Sequence, residues 1–149
     1  MYKFISWTAV ILLMALTFYL SHQPATTSNQ LSTGITEAIV EIVERTTPNA
    51  EIDVRDLNRF VRKNAHFFIY LMIGMILLNA LRRSRLKGYS VLVTLLFSMM
   101  FAIMDELHQL FVPGRGAQFE DVLIDVAGAS VGIGIYFVFG RLMKILNIR

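Results

Sequence analysis

The sequence predicts an all-α membrane protein, a four-transmembrane-helix bundle with an outer amphipathic helix between helices 1 and 2. Three observations predict it. Hydrophobic residues make up 55% of the 149-residue chain and charged ones only 17%, against roughly 25% charged in soluble domains. A soluble domain of this length has no interior large enough to hide that much apolar surface. The apolar residues fall in four runs, at 4–20, 65–81, 89–112 and 122–140. Each reaches the roughly 20 residues that a bilayer demands once one polar-tipped turn is added. The charges between the runs divide by sign. If the loop containing Arg82, Arg83, Arg85 and Lys87 is cytoplasmic, that side also holds Lys3, Arg141, Lys144 and Arg149 and no acidic residue. All 11 acidic residues then lie on the outer side. Basic loops stay inside, so both termini are expected in the cytoplasm.

The first run follows Lys3. It is longer than the usual 7–15-residue core of a signal peptide and lacks a clean cleavage site after it, so it reads as a retained helix. In the connection that follows, Leu31, Ile35, Ala38 and Ile42 recur at 4-3-4 spacing opposite Glu37, Glu41 and Glu44, which is the pattern of an amphipathic helix. This helix is expected on the outer membrane surface or capping the bundle. Thr47-Pro48-Asn49 ends it, and Asp53 can cap a new helix from Val54 that runs into the second span.

Cysteine is absent, which excludes disulfides, thiolate metal sites and a lipoprotein anchor. The net charge is +3, but the bases form no soluble basic face interleaved with aromatics, so no nucleic-acid partner is expected. A nucleophile elbow and a glycine-rich phosphate loop are missing too, and no cofactor is assigned.

The polar residues inside or beside the runs gather at one depth. Lys63, His66 and Tyr70 stand at i, i+3 and i+7 at the outer end of helix 2. Asp105, His108 and Gln109 share a face of helix 3, with Glu106 beside them. Asp105 is 16 steps from Tyr89, about 24 Å along a helix, near the edge of a hydrocarbon core about 30 Å thick. Pro113-Gly114-Arg115-Gly116 makes an outer turn, and Asp121 and Asp125 open helix 4 on the face that carries Gly128 and Gly132. Ionised groups at that depth are costly unless paired or wet, so these residues are expected to face one another. The ligand-binding candidates are Lys63, His66, Tyr70, Asp105, Glu106, His108, Gln109, Arg115, Asp121 and Asp125. Asp105, Glu106, His108 and His66 are also candidates for acid–base catalysis. Oxygen ligands with a His would suit a divalent ion, but no H-E-x-x-H or similar spacing is present, so no metal is assigned.

The strings Ser21-His22-Gln23-Pro24, Lys63-Asn64-Ala65-His66-Phe67-Phe68-Ile69-Tyr70, Asp105-Glu106-Leu107-His108-Gln109-Leu110-Phe111-Val112-Pro113-Gly114-Arg115 and Asp121-Val122-Leu123-Ile124-Asp125-Val126-Ala127-Gly128 resemble those of the VanZ-like membrane proteins, a family named after a teicoplanin-resistance determinant. The family often has Ser where His22 stands and Asn where Asp125 stands. The resemblance implies one VanZ-like domain over residues 1–149, in a bacterial inner or plasma membrane, with a link to low-level lipoglycopeptide resistance. It supplies no mechanism. Three classes stay open: binding of membrane lipids, a lipoglycopeptide or a lipid-linked cell-wall intermediate; a small intramembrane enzyme acting on such a lipid; and a proton or ion relay. The relay is disfavoured because the inner halves of the spans carry no charge.

Overall fold

The computed structural model describes residues 2–46, 53–84, 86 and 88–146. They form five helices: α1 (Tyr2–Ser21), α2 (Ala25–Thr46), α3 (Val54–Arg83), α4 (Ser90–Gln109) and α5 (Phe119–Ile145). Four of them, all but α2, are long and apolar enough to cross a membrane. No strand occurs among the described residues. The Thr47-Pro48-Asn49 stop lies outside them.

The helix boundaries differ from the apolar runs for local reasons. The second span belongs to a 30-residue helix that starts at Val54. Asp53 caps it, its carboxylate accepting from the backbone N–H of Arg55 at 2.8 Å and of Asp56 at 3.4 Å. The third run reaches 112, but α4 stops at Gln109, because the chain tightens ahead of Pro113. The N–H of Phe111 bonds to the His108 carbonyl, and that of Val112 to Gln109. Gly114 then takes φ +75°, a conformation only glycine adopts without strain.

The spanning helices are apolar outside and small or polar inside. On α4 the buried line is Ser90, Thr94, Ser98, Ala102, Asp105 and Gln109. Leu92, Leu96, Met100 and Met104, by contrast, are each more than half exposed. Water would invert that arrangement. In lipid, tails solvate the leucines, and small or hydroxyl side chains let helices approach. The chain is a multi-pass membrane protein.

Helix α3 is the hub and touches each of the other four. Its contact with α5 is the tightest. Gly128 and Gly132 of α5 lie against the backbone of Phe67 and Leu71, and Gly74 of α3 lies against that of Ala129. Helix α1 packs its Trp7, Val10 and Met14 on Leu77, Ala80 and Leu81. The Trp7 indole N–H donates to Ser84 Oγ at 3.1 Å, and the Asn79 amide to Ser6 Oγ at 3.0 Å.

Helix α2 is present where the sequence places an amphipathic helix, but it docks on α3 by a different face. Ser28, Ser32 and Thr36 are buried, and Thr36 Oγ1 lies 3.5 Å from Asn58 Oδ1. Ile35 and Ile42, on the apolar stripe, are exposed.

Candidate functional site

The polar residues collect at the end of the bundle opposite the Arg82–Arg83 turn, where α1 passes into α2 and α4 into α5. From α3, Lys63 reaches α5, with Nζ 2.8 Å from Asp121 Oδ1 and 3.4 Å from Glu120 Oε2. One turn further in, His66 Nδ1 stands 4.0 Å from Asp125 Oδ1. Asp125 is 1% exposed, and neither of its oxygens has a hydrogen-bond partner among the described residues. The Tyr70 hydroxyl, fully buried against Phe101, Ala102 and Val122, is likewise unpartnered. Buried polar atoms are nearly always hydrogen-bonded, and of these groups only Asp125 lines a cavity from which a partner could reach it.

From α4, Asp105 is 2% exposed and ties the end of α1 to the last turn of α4. It accepts from Ser21 Oγ at 2.6 Å and from the Gln109 amide at 3.3 Å. Its second oxygen is free. Glu106 does a different task, accepting the backbone N–H of Gln118 at 2.8 Å and so fixing the start of α5. The turn places Arg115 back over α1, where its guanidinium donates to the Leu20 carbonyl at 3.3 Å while Nε stays unpartnered. Burial and the nearby Arg62 charge pull the Arg115 guanidinium below its ordinary pKa, against the opposing pull of Asp105, Glu106 and Asp121.

Two cavities divide these side chains. Lys63, His66, Gln109, Arg115, Asp121 and Asp125 line the first, together with Arg62 and Ile124. Its interior is about 20 Å³, room for about one water. It widens to about 290 Å³ counted to its open mouth. The second, about 360 Å³, is walled by Phe18, Phe101, Met104, Leu107 and Phe111, with Asp105 and His108 as its polar members.

Six of the ten binding candidates therefore meet around one cavity. Tyr70 is sealed in the helix contacts next to it, and Asp105 stands between the two cavities. His108 turns to the second cavity and to α1. Its Nε2 is 3.1 Å from Nδ1 of His22, and the Phe18 ring packs 4.4 Å from its own. One histidine must donate and the other accept across that gap. His108 and Gln109 part because consecutive helical residues diverge by about 100°. Three residues outside the candidate set prove structural members of the site. They are Ser21, His22 and Arg62, and the first two were visible in the Ser21-His22-Gln23-Pro24 string. Arg62 stands out in the sequence only as a base that, with Lys63 and Arg115, can offset the four acids. Among the described residues, no three His, Asp or Glu side chains converge as a metal site would require.

The family model described as VanZ/LLP1 matches residues 6–140. The chain belongs to the VanZ/LLP1 family. The matched stretch holds every residue of both cavities. No curated protein and no solved structure matches the chain.

Proposed function

We propose that this VanZ/LLP1 protein binds an amphiphile at the outer face of a bacterial cell membrane, and that the amphiphile is a membrane lipid, a lipoglycopeptide such as teicoplanin, or a lipid-linked cell-wall intermediate. One observation carries the reading: an apolar cavity of about 360 Å³ adjoins a polar one across α4, linked by the Gln109–Asp105 hydrogen bond. That volume lies within the roughly 300–1,000 Å³ of small-molecule sites. An acyl chain suits the wall of Phe18, Phe101, Met104 and Phe111, and a polar group suits the side of His66 and Arg115. A map of the protein in lipid nanodiscs tests this directly. Chain-shaped density between α1 and α4, ending in a polar group beside Gln109, is the expected result. A second cavity closed by its own side chains would contradict it.

The charge division supports the orientation. Reporter fusions after Leu20 and Val112 are expected to read outside, and fusions after Leu81 and Leu146 inside. An outside signal at residues 82–88 would reverse the assignment and put the site in the cytoplasm.

A second reading is an acid–base enzyme acting on the same lipid. The 2.6 Å hydrogen bond from Ser21 to the buried Asp105 favours it, because a hydroxyl held by a carboxylate is the pairing an activated nucleophile uses.

A further inference from the structure

The first cavity is lined by three cations, Arg62, Lys63 and Arg115, and by the carboxylates of Asp121 and Asp125. Lys63 is spent on Asp121 and Glu120. Arg62 and Arg115 line the same cavity, and among the described residues neither guanidinium lies within 4.0 Å of a carboxylate. Two like charges drawn to one half-buried opening repel each other. Asp105, Glu106 and Asp121 offset that repulsion in part, but Arg115 Nε is buried with no acceptor. A guanidinium in such a setting is completed by an anion with several acceptor oxygens, and phosphate is the group its planar fork fits best. Donors for such an oxygen stand on the same wall, at the Gln109 amide and the His66 ring.

Building on the amphiphile reading, we propose that Arg62 and Arg115 hold the phosphate group of the bound molecule at the cavity mouth. The protein would thereby select phosphate-bearing amphiphiles over neutral ones. The phosphate sits at the open mouth, since the interior of about 20 Å³ is too small for it. The shared chemistry is a phosphate ester, and its source is a lipid headgroup or, if no chain is needed, free phosphate.

The test uses the full chain, purified in a phosphate-free non-ionic detergent and titrated by native mass spectrometry. The probes are phosphatidic acid and diacylglycerol with matched acyl chains, and inorganic phosphate alone. Phosphatidic acid is expected to bind at least about tenfold more tightly than diacylglycerol, the scale of one charge-assisted contact. Arg62→Gln and Arg115→Gln are each expected to remove most of that advantage. Arg45→Gln, which removes an exposed charge paired with Glu41, should change nothing and controls for net charge. Comparison of the two neutral and charged lipids on the unaltered chain decides the matter even if Arg115→Gln fails to fold.

The failures separate cleanly. Equal affinity for the two lipids overturns the phosphate site and leaves the amphiphile reading standing. Displacement of phosphatidic acid by equimolar inorganic phosphate supports the phosphate site and makes the ligand a free anion, which overturns the amphiphile reading. No binding of any probe overturns the phosphate site and, with it, a membrane lipid as the amphiphile.

Discussion

Replacing Gly132 with Val is expected to separate α3 from α5 and abolish the folded bundle. A Cβ at residue 132 would fall inside the contact radius of the Leu71 carbonyl oxygen, and only 2.9 Å from its carbon and 3.1 Å from the Met75 nitrogen. All three are backbone atoms in a helix and cannot swing aside. Forcing even a methyl into a packed interior costs about 1–3 kcal/mol, and Val adds two more carbons with a stiff χ1. The site would be lost with the packing, since α3 supplies Lys63 and His66 and α5 supplies Asp121 and Asp125. Gly134→Ala is the matched control. Nothing lies within 4 Å of a Cβ there, and Ala in place of Gly favours a helix by up to about 1 kcal/mol. Thermal unfolding in detergent, followed by circular dichroism, compares the two. Equal melting of Gly132→Val and the unaltered protein would refute the close α3–α5 contact.

Much of this architecture is legible in the sequence, and the parts that are not share a cause. The four spans are visible because lipid demands long apolar runs, and the Asp53 cap because few residues satisfy a helix start. The glycines at 128 and 132, three and seven positions after Asp125, point to a close helix contact but not to its partner. What periodicity could not say is which face of a helix meets protein. On α2 it reveals an apolar stripe through Ile35 and Ile42, whereas the helix docks through Ser28, Ser32 and Thr36. Around a membrane, hydrophobic faces find lipid as readily as protein, and small polar faces bring helices together. The same ambiguity concerns Asp105, His108 and Gln109. They share one broad face of α4, but two neighbours divide that face. Gln109 goes to the polar cavity and His108 to the apolar one. The divergence of about 100° between them follows from the helix, but which neighbours meet each side does not. The Ser21–Asp105 bond spans 84 residues, a pairing no local pattern reports.

Glu106→Gln and His108→Asn are expected to weaken ligand binding and any resistance to lipoglycopeptides in proportion. His108→Asn alters the wall of the apolar cavity and breaks the contact with His22. Glu106→Gln weakens the acceptor that holds the Gln118 N–H and with it the position of α5. Both changes act on the shape of the site, so both act on affinity. An enzyme would respond otherwise, because a general acid or base contributes about 10²–10⁴-fold in rate while leaving substrate affinity nearly intact. The decisive measurement is therefore teicoplanin susceptibility of cells plotted against ligand affinity of the purified protein, for the unaltered chain and these two variants. A single line through all three points is the result that binding predicts. A Glu106→Gln protein that binds within about twofold of the unaltered one yet gives no resistance would contradict it and make the site catalytic.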